Sequence, residues 1–275
     1  MQVWVGTSGY SFPDWVGTFY PGTMTPGRML AYYAHHFPLV EVNYTFYRVP
    51  AGNDLERMAA KTPAGFKFTV KLHQSLTHEQ DLREADAFRQ ALEPLQTRGR
   101  LLAVLAQFPQ RFHWQSAHEE YLGQLAGRLQ GTLLAVEFRH RSWARPSVLQ
   151  RCAEKGMCVV SVDVPSIPSL FPAGLVQTCP TLYVRLHSRN ADNWYGDEKT
   201  RYDYSYSDEE LGEWIERLEK QAPLAQRALV LFNNCLRGQA AANARRMQEL
   251  LRRRAHPLLE VIEPVTAQPP PGHLF

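Results

Sequence analysis

Several features that would place the chain in a specialised class are scarce or missing. No apolar run approaches the roughly 18 to 20 residues that a membrane-spanning helix requires. Hydrophobic residues make up 44 % of the 275 residues and charged residues 21 %, which is an ordinary globular balance. The net charge of +3 allows an anionic ligand but does not by itself argue for nucleic acid. We therefore expect a globular protein with no membrane partner.

Cysteine is also scarce, with four residues that form no CxxC pair and lie beside no histidine cluster at zinc-finger spacing. So few cysteines in a chain of this length do not resemble a disulfide framework, and we expect inert thiols and a cytoplasmic location. The first six residues have no basic region followed by a long apolar stretch. They predict an early strand rather than a signal peptide.

The motifs of several enzyme classes are missing from the sequence. There is no P-loop, no GxGxxG fingerprint and no GxSxG elbow, so we predict neither a nucleotide cofactor nor serine-triad chemistry. No HxH, HExxH or DxD spacing predicts a metal centre. The assembly state cannot be read from the sequence.

Eight short apolar runs, rich in Val, Leu, Phe or Tyr, are spread along the whole chain. Several are almost continuously hydrophobic, which is typical of parallel strands covered on both faces. Helical segments separate them: one opens at Thr25-Pro26, and others cover residues 79–98, 117–129, 207–220 (with a capping-box pattern) and 240–254. The predicted strands are residues 2–6, 39–43, 66–71, 101–107, 133–138, 158–163, 181–187 and 228–233.

Strand and helix alternate about eight times, which favours a closed α/β fold, the (β/α)₈ TIM barrel, over an open sheet. The sixth unit is irregular, because residues 164–180 include four prolines and a glycine, and we predict no regular helix there. No linker divides the chain. We predict one barrel domain over residues 1–263 and a proline-rich tail over residues 264–275 that runs extended over the surface.

Nearly every predicted strand turns from apolar to polar at its C-terminal end, where the active sites of such barrels lie. Alternate residues of a strand share a face, so Glu41 goes with Asn43, and Arg185 goes with His187. If these faces point inward, the barrel mouth is lined by Glu41, Lys71, Glu137, Asp163, Arg185 and His187.

Carboxylates buried beside cationic side chains have shifted pKa values and can transfer protons. The alternative, a structural charge network that satisfies itself, stays open. A divalent metal site is a further alternative that we do not favour, since Lys71 and Arg185 would compete for the same carboxylates. Together with groups in the loops, the strand ends provide two sets of candidate residues. The catalytic candidates are Glu41, Glu137, Asp163 and His187, and the ligand-binding candidates are Tyr10, Trp15, Asn43, Tyr47, Arg48, Lys71, Arg139, Trp143, Arg185, Asn233 and Asn234.

Two loop features add alternatives of their own. Residues 233–238 (NNCLRG) precede a predicted helix after strand eight, where many barrels bind phosphate, although a plain polar loop fits the pattern as well. The loops after strands one, two and seven are rich in aromatic residues. These rings either stack on a sugar or base or pack on the top of the barrel.

The same segments, taken together, resemble the YecE-like family, domain of unknown function 72. The resemblance runs in order through residues 6–15 (GTSGYSFPDW), 40–50 (VEVNYTFYRVP), 66–71 (FKFTVK), 136–143 (VEFRHRSW), 183–187 (YVRLH) and 232–234 (FNN). It implies a TIM barrel and no particular reaction. The chain departs from the family pattern at Ser188, where glycine is usual, and at Cys235, where histidine is usual, which puts any role of position 235 in doubt.

Three functional hypotheses follow from these residues. The first is an enzyme, a hydrolase or another acid/base catalyst, that acts on a small polar, anionic or sugar-like compound. In it Glu41 and Glu137 are the acid/base groups, Asp163 and His187 support them, and the cationic candidates bind the anion. The second is a protein that binds or processes nucleic acid through the arginine-rich segment 245–254. The third is a barrel that binds a small ligand without catalysis.

Overall fold

A parallel β-barrel surrounded by helices forms the frame of the protein. The computed structural model describes residues 1–51 and 53–265, without the side chains at positions 198 and 199. Its strands are Gln2–Ser8 (β1), Leu39–Val42 (β2), Lys67–Lys71 (β3), Leu101–Gln107 (β4), Leu134–Glu137 (β5), Cys158–Val159 (β6), Ser161–Asp163 (β7), Thr181–Leu186 (β8), Arg227–Phe232 (β9) and Glu260–Val261 (β10).

Every strand pairing in this part of the chain is parallel, and the order is β6-β5-β4-β3-β2-β1-β9-β8-β7, with β10 added to β1. Val160 alone separates β6 from β7, and its N–H donates to Val136 O at 2.9 Å. The two ends of the strand order are therefore joined by one residue, so the sheet closes on itself. The predicted TIM-barrel fold is confirmed, with its sixth strand divided into two short pieces.

Helices cover the outside of this barrel. They are Pro26–Ala34 (α1), Asp54–Ala60 (α2), Gln74–Thr77 (α3), Ala85–Gln96 (α4), Ser116–Arg128 (α5), Pro146–Glu154 (α6), Glu198–Arg201 (α7), Asp208–Gln221 (α8) and Gln239–Arg254 (α9). The start of α8 is fixed by the predicted capping box, in which Ser207 accepts from the Glu210 N–H and the Glu210 carboxylate accepts from the Ser207 N–H.

Two sequence predictions about the connections can be compared with the structure. Residues 164–180 contain no helix, as their prolines predicted. The helix predicted over residues 79–98 begins only at Ala85, because Gln80 has a φ of 56° and Asp81 is extended. Most of the predicted tail, residues 266–275, lies outside the described residues.

The core consists of the strands and the inner faces of the helices. All six residues after Gln2 in β1 are buried, and so are all residues of β2, β5 and β8, as expected for strands covered on both faces. Within the described ranges, no helix is both long enough and apolar enough to cross a membrane. The carboxyl ends of the strands meet at one end of the barrel, and the polar side chains converge there.

Candidate functional site

A polar column fills the upper interior of the barrel. The hydroxyl of Tyr183 on β8 donates to Glu41 Oε2 on β2 at 2.7 Å and lies 2.9 Å from Thr69 Oγ1 on β3. All three side chains are completely buried. Side chains from three separate strands thus meet on the barrel axis, so the alternate residues of β8 point inward as the sequence pattern predicted.

Arg185 lies two residues after Tyr183 on β8 and bridges the two buried glutamates. Its NH2 lies 2.7 Å from Glu41 Oε1, and its NH1 lies 2.5 Å from Glu137 Oε2. The same NH2 contacts Ser8 Oγ at 3.3 Å and Asn233 Oδ1 at 3.1 Å. The guanidinium is 2 % exposed, and the two carboxylates raise its pKa although burial opposes this. It therefore carries a permanent positive charge that offsets the charges of the two glutamates.

Glu137 collects the remaining charged groups of this layer. Its Oε1 lies 2.8 Å from Arg139 Nε and 3.4 Å from His187 Nε2. Burial alone would raise the pKa of Glu137, but the charges of Arg139 and Arg185 hold it well below its usual value. Burial, together with the nearby Arg139, lowers the pKa of His187 to about 3, so the imidazole is neutral at physiological pH. Glu137 is an ionised anchor, which makes it a poor proton donor at neutral pH.

Lys71, the last residue of β3, is an amine with no carboxylate partner. Its Nζ donates to Gln107 Oε1 at 2.8 Å and lies 4.4 Å from the centroid of the Phe46 ring. No carboxylate of the described residues lies within ion-pair distance of it. Burial, reinforced by the charge of Arg185, lowers the pKa of Lys71 to about 8. Part of the Lys71 population is therefore neutral near physiological pH.

A cavity of about 570 Å³ opens over these groups at the carboxyl ends of the strands. This volume falls within the range of small-molecule sites, about 300 to 1,000 Å³. Three of its lining side chains are cationic and one is a carboxylate, Asp14. The lining residues are Ser8, Phe12, Asp14, Asn43, Phe46, Tyr47, Lys71, Gln107, Arg139, Arg185, Tyr202, Asn233, Cys235 and Leu236.

The structure divides the fifteen candidate residues into three groups by position. Those that line the cavity are Asn43, Tyr47, Lys71, Arg139, Arg185 and Asn233. Those buried beneath its floor are Glu41, Glu137 and His187. Those that lie apart from it are Tyr10, Trp15, Arg48, Trp143, Asp163 and Asn234. Their roles in catalysis or binding remain predictions.

Asp163 does not join the ring at the barrel mouth, contrary to the sequence prediction. Its Oδ2 accepts from Trp214 Nε1 on α8 at 2.5 Å and lies 3.0 Å from Arg189 Nε. Burial raises its pKa despite these partners. The residue ends the short strand β7 and contacts the helix layer instead of the barrel interior. In the sheet register Val162 pairs with the inward-facing Arg185 and Asp163 pairs with Leu186, so the Asp163 side chain lies on the outer face of the barrel.

Trp15 and Trp143 are also misplaced by the sequence prediction. Both are completely buried, and their indole N–H groups donate to backbone oxygens, Trp15 to Cys235 O and Trp143 to Phe112 O, each at 2.6 Å. Neither ring faces the cavity. They pack the loops onto the barrel top, and for Trp15 this is the structural alternative that the sequence left open.

Three further candidates point away from the cavity. Tyr10 and Arg48 border a separate, smaller hollow of about 230 Å³, where Arg48 pairs with Asp54 at 3.0 Å. Asn234 is completely buried and donates to Tyr204 O and to Asn243 Oδ1. It therefore holds the loop before α9, while its neighbour Asn233 turns toward the cavity.

The loop after β9, predicted as a possible phosphate site, holds an internal carboxylate. The Arg237 N–H donates to Asp14 Oδ2 at 2.6 Å, and Gly238 adopts a φ of 81° just before α9. A phosphate at this amide would have to displace Asp14. Cys235 lines the cavity, but its Sγ donates to Ser8 O at 3.3 Å, and burial raises the thiol pKa, so it is not a thiolate nucleophile.

The cavity also includes groups that the sequence did not single out. Ser8 and Gln107 are the last residues of β1 and β4, so the strand-end rule applied to those strands would have found them. Asp14 and Tyr202 come from loops, whose path over the barrel top no periodicity describes. Tyr202 lines the cavity beside the Arg139 guanidinium.

Neither a metal ion nor a nucleic acid is favoured as the ligand by the contacts of the described residues. Within residues 1–51 and 53–265, no group of three His, Cys, Asp or Glu side chains is arranged to hold a metal ion. On α9, Arg246 pairs with Asp208, Arg252 with Glu263, and Arg254 with residues of α8. Much of the basic charge on this helix is thus matched by carboxylates.

Comparisons with known proteins agree with this architecture. A family model described as "Protein of unknown function DUF72" matches residues 4–269. The UPF0759 protein YunF of Bacillus subtilis (strain 168) is 30 % identical over 273 residues, which cover 91 % of this chain and 95 % of that protein. The crystal structure of a DUF72 family protein from Thermotoga maritima MSB8 is 39 % identical, with a TM-score of 0.85, and covers 92 % of this chain and 100 % of that one. A DUF72 family structure from Enterococcus faecalis V583 is 28 % identical, with a TM-score of 0.80, over 91 % and 95 % of the two chains.

Proposed function

The chain belongs to the DUF72 family of unknown function, as its sequence motifs predicted, and we propose that its barrel mouth is the active site of an enzyme that acts on a small organic anion. One observation carries this proposal. Lys71, Arg139 and Arg185 all reach one cavity, whereas the carboxylates that balance the two arginines, Glu41 and Glu137, are buried below it. The charged groups that a ligand meets are therefore mostly cationic.

Arg139 and Arg185 have different roles in this proposal. Arg185 is held in place by two carboxylates and two neutral oxygens, so its side chain forms a rigid part of the cavity floor whose charge is already balanced. The Arg139 side chain is 12 % exposed and pairs with one oxygen of Glu137. Its remaining donors face an anionic group of the ligand, since a guanidinium binds carboxylate or phosphate through two parallel hydrogen bonds.

Lys71 is the reactive group in this proposal. Its amine faces the cavity with one hydrogen bond to Gln107, and no carboxylate of the described part of the chain lies at ion-pair distance from it. A neutral amine can accept a proton or attack an electrophile. The acid/base roles predicted for Glu41, Glu137, Asp163 and His187 remain predictions, because none of the four is among the lining residues. Hydrolase activity, a sugar-like substrate and a cytoplasmic location also remain predictions.

Ligand-dependent thermal unfolding tests the anion site. Wild-type protein is heated with glycolate, malonate or inorganic phosphate, each compared with sodium chloride at equal ionic strength. At ten times the dissociation constant, a specific anion stabilises the fold by about 1.4 kcal/mol. We expect Arg139→Met to lose this stabilisation and Arg253→Met, an exposed change on α9, to keep it. Equal stabilisation of both variants would contradict the proposed site.

The two other hypotheses predict different results. A nucleic-acid-binding protein would bind RNA or DNA with a steep dependence on salt, and this binding would weaken in the Arg253→Met variant. A non-catalytic receptor would bind one of the anions and return it unchanged at every pH.

A further inference from the structure

The amine of Lys71 lies in surroundings that suit covalent chemistry better than simple charge pairing. An ammonium that serves only to bind an anion gains from full hydration or from a carboxylate in direct contact, and Lys71 has neither among the described residues. It has one neutral acceptor, Gln107, and the face of the Phe46 ring. Since Arg139 and Arg185 already supply positive charge to the cavity, a further permanent ammonium adds repulsion to it.

We propose that Lys71 forms an imine with the carbonyl carbon of an organic anion that carries an aldehyde or ketone group. The inference rests on the proposed function, since Arg139 holds the anionic group of that same ligand. The cavity of about 570 Å³ accommodates a small molecule that reaches both Nζ of Lys71 and the guanidinium.

The step is balanced without any oxidant or metal. Lys71 loses a proton to water, and its nitrogen lone pair forms a bond to the carbonyl carbon while the carbonyl oxygen takes up a proton. One proton then moves from the nitrogen of this carbinolamine to its hydroxyl group. The nitrogen lone pair forms the carbon–nitrogen double bond as the carbon–oxygen bond breaks, and the oxygen leaves as water. Overall, the ammonium and the carbonyl compound give a protonated imine and one water molecule.

The neutral fraction of the amine decides whether this step proceeds. With a pKa of about 8, roughly a quarter of the Lys71 population is neutral at pH 7.5. An exposed lysine with a pKa of about 10.4 is neutral in about one molecule in a thousand at that pH. Lys71 therefore presents on the order of 200-fold more nucleophile than a surface lysine.

Phe46 and Gln107 are positioning residues in this arrangement. The ring lies 4.4 Å from Nζ and covers one side of the amine, while the Gln107 carbonyl oxygen fixes one N–H direction. The two other hydrogens of the ammonium have no hydrogen-bond partner among the described residues. That side of the nitrogen is open to the ligand.

Reductive trapping tests the proposal on the full-length protein. The chain contains only six lysines, so a peptide map locates every adduct. The protein is incubated with sodium cyanoborohydride and one of three aldehydes: glyoxylate, which carries a carboxylate, glycolaldehyde phosphate, which carries a phosphate, or neutral propionaldehyde. We expect one of the two anionic aldehydes to label Lys71 at least about tenfold faster than any other lysine. The faster of the two identifies the anionic group of the ligand.

Three variants control the experiment. Selective labelling should disappear in Lys71→Arg and fall at least about tenfold in Arg139→Met, because each removes one of the two attachment points. It should persist in Lys67→Arg, whose amine contacts the exposed Gly99 carbonyl instead of the cavity. Propionaldehyde should label Lys71 with at least about tenfold less preference, since it has no anionic group for the guanidinium to hold.

Two outcomes would overturn the inference, and they separate it from the proposed function. If glyoxylate or phosphate stabilises the protein against heat but Lys71 stays unlabelled by both anionic aldehydes, the anion site stands and the imine fails. If neither stabilisation nor labelling of Lys71 occurs, both fail together.

Discussion

Replacing Lys71 by Met should make the protein more stable at neutral pH, although it removes a hydrogen bond. Burial lowers the pKa of Lys71 from 10.5 to about 8. At about 1.4 kcal/mol for each tenfold change in proton affinity, holding the charged amine in the folded protein costs about 3 kcal/mol. The lost bond to Gln107 offsets about 1 kcal/mol of that gain, and methionine preserves the packing of the stem. The expected net gain is about 2 kcal/mol.

The gain should depend on pH in a defined direction. Below about pH 8 both folded and unfolded chains carry the proton on Lys71, and the cost of the buried charge is fully present. Between about pH 8 and pH 10.5 the unfolded chain binds one proton more than the folded chain, so the stability of the wild type rises with pH. Above this window both forms are neutral and the cost disappears. The advantage of Lys71→Met should therefore shrink as pH rises through the window.

Urea unfolding followed by circular dichroism at about pH 7 and about pH 10 measures this difference directly. Lys61→Met is the matched control, because Lys61 is exposed and its replacement should change stability equally at both pH values. Other groups that titrate in this range affect all three proteins alike and cancel in the comparison. If the difference in unfolding free energy between Lys71→Met and the wild type stayed constant with pH, the argument that the buried charge of Lys71 destabilises the folded protein would be refuted.

Three further predictions concern the buried charges and the packing of the barrel. Arg185→Leu leaves two buried carboxylates without their common partner and should destabilise the fold by about 3 to 5 kcal/mol, measured by urea unfolding. Glu137→Gln should destabilise the protein most above about pH 4.5 and less in more acidic solution, because the pKa of Glu137 is lowered in the folded protein and the stability that its charge contributes is lost as pH falls. A difference in unfolding free energy between this variant and the wild type that stays constant down to about pH 3 would contradict this assignment. Gly6→Ala places a Cβ atom 2.1 Å from a backbone oxygen of β2, so it should lower the free energy of unfolding by about 3 kcal/mol or more in thermal unfolding. In Gly127→Ala, on α5, the added Cβ meets nothing within 4 Å, so the free energy of unfolding should rise by up to about 1 kcal/mol. Similar values for the two variants would argue against the close approach of β1 and β2.

The architecture was largely predictable because it depends on repeated patterns. Parallel strands covered on both faces must be almost wholly apolar, so each of the eight apolar runs in the sequence predicted a strand. The Ser207 capping box and the prolines of residues 164–180 affect only the backbone a few residues away. The predicted helix start at Ser207 and the predicted absence of a helix in residues 164–180 were both confirmed. The gathering of Glu41, Lys71, Glu137 and Arg185 at one end also follows from a local rule, since the carboxyl ends of parallel strands meet.

The failures concern side chains whose direction depends on distant neighbours. Asp163 ends a strand like Lys71, but its register with Leu186 places it on the outer face, where it accepts from the indole N–H of Trp214. Trp15 looked like a ligand-stacking ring and is buried by a loop that closes over it from the other end of the chain. No spacing within either segment records these contacts.

Strand periodicity and motif order are properties of neighbouring residues, so they were enough to predict the barrel, the family and the polar character of the mouth. Which polar groups neutralise one another depends on contacts between distant strands. Only the closed barrel brings Arg185 between Glu41 and Glu137. It also places Lys71 Nζ 2.8 Å from Gln107 Oε1, with no carboxylate of the described residues at ion-pair distance. The energy of a charge depends on its burial and on partners that can lie more than a hundred residues away in the sequence, and for this reason the surroundings of the Lys71 amine could be recognised only in the folded protein.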